Sequence, residues 1–364
     1  MKAALLLLLC SLGANAQTLR HEVQLQAARD MHELQAQSRA DWSGESIRAR
    51  AEAELSWRES QGHELRLGEA WLQTDTALGT LRAGRQRFQW GLTDTVSPGD
   101  LINPRDWRDL TRPRKRPLAA LSLQHASGLQ AVLARADHAE LPNGAWAFPL
   151  PPGLSLERPA TPDAKAQAAL RWQGRMGDQE WSALAYRGHS HAPQFALAGH
   201  QLVARHERLS AFSLGHLRPL DGSSLLRAEL GHFRGEHGQR FTQAVLSVDR
   251  EWATDEGSIY LLLQTQRSRG AQPAVGLDLR RALDGQWLAR LQHRSDSGRQ
   301  VQAEFVGGSG QGGRTGLLRL GWSQPLSGAL ELELGAQALW GRGAAFWAPW
   351  ARNDRLFARL RWVG

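Results

Sequence analysis

The sequence predicts an all-β fold, a transmembrane antiparallel β-barrel of about 16 strands (roughly 14–18). Three observations predict it. Long runs carry charged or polar residues at every second position. Glycine and aspartate separate those runs. Tryptophans stand near the ends of the apolar faces.

The elements follow in chain order. Lys2 supplies a positive start, Ala3 to Leu12 are apolar, and Ala14-Asn15-Ala16 has the form of an A-x-A cleavage site. A signal peptide over 1–16 is expected, cleaved after Ala16, with the barrel over 17–364. The apolar stretch falls short of the ~20 residues of a spanning helix. Cys10 is the only cysteine. Leu9 stands where a lipoprotein signal needs a small residue, and cleavage would leave a mature chain without thiol or disulfide.

From Ile47 to Arg58 one face reads Ile47, Ala49, Ala51, Ala53, Leu55, Trp57, and the other Arg48, Arg50, Glu52, Glu54, Ser56, Arg58. Only a period of two gathers those charges on one side. The pattern returns at Ala166–Gln173, Ala244–Asp249, Leu318–Ser323 and Leu330–Ala338, and more weakly around Leu65, Leu81, Leu121, Leu226, Val275, Leu291 and Val301. Ser60-Gln61-Gly62, Gly177-Asp178, Asp221-Gly222, Asp284-Gly285, Asp296-Ser297-Gly298 and Ser327-Gly328 suit tight hairpins. The best runs last about ten residues, as a tilted membrane strand requires, where soluble strands average about six. Trp57, Trp172, Trp322, Trp340 and Trp362 occupy expected girdle positions. The final run sets Leu356, Ala358, Leu360 and Trp362 against Arg355, Arg359 and Arg361, with Phe357 breaking the polar face.

One stretch departs from alternation. Gly84-Arg85-Gln86-Arg87-Phe88-Gln89-Trp90-Gly91 leads to Asp94 and then to Ser97-Pro98-Gly99-Asp100-Leu101-Ile102-Asn103-Pro104-Arg105-Asp106-Trp107. With Glu69-Ala70-Trp71 upstream, it resembles a motif of outer-membrane barrel proteins of unknown function, in which Gly-Arg-Gln and Trp-Gly precede an Asp and an Asn-Pro-x-Asp turn. The resemblance covers about 50 residues and implies a porin-like barrel without naming a substrate. Pro98 and Pro104 lack backbone donors, and Gly91 and Gly99 permit sharp turns, so 91–116 is not regular strand. It is either an inward, constricting loop or a rigid turn outside the pore. Arg85, Arg87, Asp94, Asp100, Asn103, Arg105, Asp106, Arg108 and Arg112 are the pore candidates. Arg48, Arg50, Arg171, Arg319, Arg359 and Arg361 are the lumen-facing ones.

The formal charge of +8 is almost wholly arginine, since lysine occurs only as Lys2, Lys115 and Lys165. The arginines are dispersed, and export would separate the chain from nucleic acid. They point to a lumen lining or to anionic lipid, lipopolysaccharide included. The assembly machinery of the outer membrane is the expected protein partner; no oligomeric state is specified. His189-Ser190-His191 and His293, Ser295, Asp296 could in principle support hydrolysis or hold a metal, but neither has a complete ligand or catalytic set. No enzyme, metal or cofactor is predicted. Asp100 and Asp106 make a poor cation site beside so many arginines. The glycine-rich run from Gly307 to Gly313 reads as a flexible loop. The leading expectation is a porin-like channel for a small solute, with anions the favoured class because rings of arginine attract them. The alternative is a closed barrel serving assembly or export of a surface polymer or lipid; an outer-membrane hydrolase ranks below both. Long connections fall at Ala139 to Asp163 and Gly341 to Asn353. With 16 strands the long loops do not all share one side, so either a strand near Gly188 to Glu207 is miscounted or one long loop is periplasmic.

Overall fold

The computed structural model describes residues 18–28, 31–58, 62–137, 139–148, 150, 152–157, 166–191, 194–236, 240–270, 281, 283–310, 313–343 and 345–364. The expected signal peptide, the Val275 run, Ser60-Gln61 and the Gln311-Gly312 part of the glycine-rich run lie outside them.

The wall is an 18-stranded sheet, two strands more than the sequence count. Its strands are β1 Thr18–Ala28, β2 Met31–Ser43, β3 Ile47–Arg58, β4 Gly62–Thr76, β5 Gly79–Gln86, β6 Leu118–Gln124, β7 Leu129–Arg135, β8 Ala166–Met176 and β9 Gln179–His189. They continue as β10 Arg208–Pro219, β11 Ser224–Gly235, β12 Arg240–Thr254, β13 Gly257–Gly270, β14 Trp287–Ser295, β15 Gln300–Gly310, β16 Gly313–Pro325, β17 Leu330–Gly341 and β18 Arg355–Val363. Each pairs antiparallel with the next, and β1 closes on β18 with Leu25 opposite Leu360. β1 and β2 precede the first run named from sequence; they too alternate, with Arg20, Glu22, Gln24 and Gln26 inward, but their outward faces dilute the leucines with His21, Ala36 and Ser38. His21 bonds Ser38 there at 3.0 Å.

Strand number decides sidedness. With 18 strands the connections 87–117, 136–165, 190–207, 271–286 and 342–354 all leave one end. No connection at the other end exceeds four residues. The Gly188 to Glu207 ambiguity resolves into a hairpin, Gln194–Ala198 with Gln201–Arg205, that pairs with Ser155–Glu157 in a separate small sheet rather than joining the wall. Outer-membrane barrels carry long loops outside the cell and short turns in the periplasm.

Alternation sorts the faces. Leu55, Leu72, Leu121, Leu133, Leu170, Phe212, Leu230, Leu246, Leu291, Leu320 and Leu334 are exposed on the outside, a belt suited to hydrocarbon rather than water. Trp57 and Trp340 lie toward the long-loop end, and Trp172, Trp322 and Trp362 toward the short-turn end. Inside, two apolar clusters occupy the mouth. One joins Phe88, Trp90 and Ile102 to Leu118, Val132, Leu184, Tyr186, Leu209, Phe233 and Phe241 of the wall from β6 to β12. The other joins Leu110, Trp146, Trp347 and Trp350 to Leu262, Leu288, Val306, Leu317 and Leu339 of β13 to β17.

Candidate functional site in the lumen

After Gln86 the chain leaves the wall. The Gln86 amide donates to Ala120 O at 2.8 Å and accepts from Ser122 at 2.7 Å, which fixes the departure point. Asn103 then ties the segment's two ends. Its Oδ1 accepts from Phe88 N at 2.7 Å and its Nδ2 donates to Arg116 O at 2.8 Å. Between Asn103 and Arg116 the chain forms a small hairpin, Arg105–Asp106 against Arg114–Lys115. The next long connection docks on it through Trp107 N to Glu140 O at 3.0 Å and Glu140 N to Arg105 O at 3.0 Å.

The first part of the segment hangs on one wall carboxylate. Glu229 of β11, 5% exposed, accepts from Leu92 N, from Thr93 N at 2.9 Å, from the Ser97 hydroxyl and from Gly99 N at 3.2 Å. Asp94 N donates to Gln264 of β13 at 3.0 Å, and Trp90 Nε1 to Gln130 of β7 at 2.7 Å. Gly231 makes room for the approach, since a Cβ there would lie 2.6 Å from Pro98.

The second part is held by charge on the other side of the barrel. Arg108 pairs with Asp106 and, at 2.7 Å, with Glu64 of β4, while Arg66 of β4 meets Asp106 at 3.0 Å. Arg112 reaches Glu333 of β17 at 3.1 Å, and Arg355 of β18 reaches Asp109 at 2.8 Å. Arg319 of β16 donates to Thr111 O at 2.7 Å and pairs with Glu304 at 2.8 Å. Asp100 takes Arg105 at 2.6 Å and Lys115 at 2.8 Å. Burial by itself would raise the Asp106 carboxyl, but hydrogen bonds and charge from Arg108, with the charge of Arg66, hold it far below the usual carboxylate range. Asp109 is likewise buried and is lowered by Arg355. Burial pulls Lys115 below the ordinary lysine value despite Asp100.

The remaining candidates divide. Arg87 faces Glu52 at 3.5 Å, and Asp94 lies 3.7 Å from Arg290. Arg85 falls in register with outward-facing Leu81 and Ala83, bonds Pro117 O at 3.0 Å, and stands apart from this network. Among the lumen arginines, Arg48 pairs with Asp75, Arg50 with Asp41 and Glu69, Arg359 with Glu333, and Arg361 with Glu22 and Glu331. Arg171 is buried without an ion pair among the described residues. The sequence marked neither Glu229, Glu64, Glu304 and Glu333 of the wall as partners of this segment nor Asp109 within it as the partner of Arg355. The only local signal of the four wall carboxylates is polarity on an inward face.

The two other long connections named from sequence meet over the β13–β17 half of the lumen. Trp350 Nε1 donates to Trp146 O at 3.1 Å, and Trp347 N to Thr315 Oγ1 at 3.0 Å. His191 Nδ1 lies 2.7 Å from Asp137 O, and burial lowers its pKa to about 4. His293 and Ser295 lie on β14, and Ser295 bonds Ser297 at 2.8 Å. No group of three or more metal-ligating side chains occurs among the described residues.

No protein-family model and no curated protein matches the chain. Solved structures do match in fold. Wzi of Escherichia coli, described as an outer-membrane protein involved in group 1 capsule assembly and a carbohydrate-binding β-barrel, aligns at 10% identity over 98% of this chain and 86% of its own, with a TM-score of 0.58. OccK3 (OpdO) of Pseudomonas aeruginosa aligns at 13% identity over 95% and 93%, with a TM-score of 0.54. OccK11 (OpdR) of the same organism aligns at 15% identity over 95% and 93%, with a TM-score of 0.52. The fold is thus that of outer-membrane β-barrels, and at these identities the likeness extends to fold alone.

Proposed function

We propose that the protein is a porin-like barrel of the outer membrane whose lumen is narrowed by residues 91–116 to a restricted path for a small polar solute. The observation that carries this reading is the attachment of one segment to opposite walls, through Glu229 and Gln264 on one side and Glu64, Arg319, Glu333 and Arg355 on the other. Irregular backbone is tolerated at membrane depth only where protein or water satisfies its polar groups, and these anchors do so. The dense pairing also weakens the positive field that free arginine rings would set up, so any anion preference is modest.

A second reading has its own support. The two apolar clusters that pack segment and loops against the wall suit a barrel closed at rest, acting at the cell surface in polymer or lipid assembly. Planar-bilayer conductance separates the two. A small wild-type conductance that rises several-fold in Glu229→Ala supports the restricted channel. Silence from both proteins, each folded by heat-modifiability in detergent gels, supports the closed barrel and rejects the channel.

A further inference from the structure

The outside of the barrel is chemically lopsided. At the long-loop end of β7 to β13, Arg135, Arg187, Arg208, Arg234, Arg240 and Arg269 occupy outward positions and are exposed. At that end elsewhere the wall presents Trp57, Trp287 and Trp340, with an exposed Arg314 standing apart on β16 and Arg85 of β5 half-buried and bonded to Pro117 O. Register sets the arginines side by side. Arg187 lies opposite Ser210, Ser210 opposite Arg234, and Arg234 opposite Arg240. Adjacent strands stand ~4.8 Å apart, so these side chains share a patch only a few strand widths across. None of the six makes an ion pair or side-chain hydrogen bond among the described residues, whereas most of the lumen arginines are paired.

Two open grooves meet beneath and within this patch. The upper, about 580 Å³, is lined by Arg187, Arg208, Ser210 and Arg234, with Glu236 its only acid among the described residues. The lower, about 560 Å³, is apolar and runs down the outer face past Leu81, Leu121, Ala131, Leu170 and Ala185. They share Leu133, Ala168 and Arg187. Ala131, Ala168 and Ala185 form a lane of small side chains between leucines, which gives the lower groove its depth.

An apolar lane leading up to unpaired guanidiniums is complementary to an amphiphile with an anionic head. Arginine's planar fork matches phosphate in bidentate geometry, and the lane argues for an attached acyl chain rather than a free ion. We propose that this face seats a phosphorylated lipid of the outer leaflet, with an acyl chain in the alanine lane and the headgroup phosphate on Arg187, Arg208 and Arg234. The inference rests on the outer-membrane reading above but not on whether the lumen conducts.

The test uses the full-length chain folded in detergent, with lipid binding read by native mass spectrometry. The probes are bisphosphorylated lipid A, dephosphorylated lipid A and inorganic phosphate. Wild type is expected to bind the bisphosphorylated form at least about tenfold more tightly than the dephosphorylated one. Arg187→Gln/Arg208→Gln/Arg234→Gln is expected to abolish that preference. Ala168→Phe/Ala185→Phe, which fills the lane, is expected to weaken both lipids, and millimolar phosphate is expected to leave the bound lipid in place. A preference unchanged in the triple variant overturns the proposal. Full displacement by inorganic phosphate overturns it in favour of a simple anion site. Heat-modifiability and extraction with outer membranes are checked for every variant, so failure of the barrel reading appears there and is distinct from failure to select the lipid.

Discussion

The lumen and the outer rim use the same side chain in opposite ways. Inside, Arg50, Arg108, Arg319 and Arg359 each meet a carboxylate, and several carboxylates serve two cations. On the rim, Arg187, Arg234 and Arg240 meet none among the described residues. A guanidinium removed from water by the packed segment costs several kcal/mol unless paired, whereas one at the edge of the apolar belt keeps water or a headgroup as its partner. Two arginines with the same local sequence pattern therefore have different roles. The lumen pairs hold an inserted segment in place, and the rim arginines remain available to something outside the chain.

The strongest way to break this comparison is to remove an inside cation. Arg108→Ser leaves Asp106 and Glu64 to share Arg66 alone, and because that one cation remains the loss should fall below the ~3–5 kcal/mol of a fully orphaned buried charge, at about 2–3 kcal/mol. Hydrogen exchange of residues 100–116 should accelerate accordingly, and a second substitution, Asp106→Asn, should recover most of the protection. Unchanged exchange in the single variant would mean that the lumen pairs do not hold the segment.

An inside cation can also be created by acid. His191 is buried and its folded-state pKa is lowered to about 4 from an ordinary 6.5, with the nearby His206 adding to the burial effect. The unfolded chain takes up this proton first. The contribution is thus fully present above about pH 6.5 and is lost as pH falls through the folded value, a change of roughly 3 kcal/mol at most. Local stability around 136–141 and 190–191, followed by hydrogen exchange from pH 7 to 4, should drop in wild type. The slope should flatten in His191→Asn, and a persisting slope would assign the effect to another group.

The two faces of one strand provide a third test. Leu334 is exposed on the outside of β17, and Glu333 next to it binds Arg112 and Arg359 inside. Leu334→Arg should cost roughly 2–4 kcal/mol, less toward the interface, and reduce the heat-modifiable folded fraction. Leu334→Ala should be far milder, and equal yields of the two variants would reverse the assignment of faces. The smallest effect belongs to the rim. Arg234→Gln removes no side-chain bond among the described residues, so thermal stability in detergent should stay within about 0.5 kcal/mol of wild type. A larger loss would reveal a structural role and collapse the distinction between the two arginine sets.

Much of the wall was readable because alternation is local. In Ile47–Arg58 or Leu330–Ala338, each residue's face follows from its immediate neighbours. The first two strands carry a weaker version of the pattern, because histidine, serine and alanine dilute their outward faces. The break in pattern after Trp90 was equally local, since proline and glycine forbid a ladder there whatever surrounds them. Asn103 could be singled out within that stretch, but its pairing of Phe88 with Arg116 could not.

Sequence alone thus determined that this chain makes outward-apolar, inward-charged strands, and where that regularity stops. Tertiary structure decided the rest. The long connections gather at one end because an even number of wall strands separates each from the next, a parity fixed once the hairpin of residues 194–205 is seen to stand outside the wall. Glu229 anchors Leu92 across 137 residues of chain, and Arg355 finds Asp109 across 246. Such partnerships carry no local signature. They depend on closure of the sheet, which brings distant inward faces within bonding distance around one enclosed lumen.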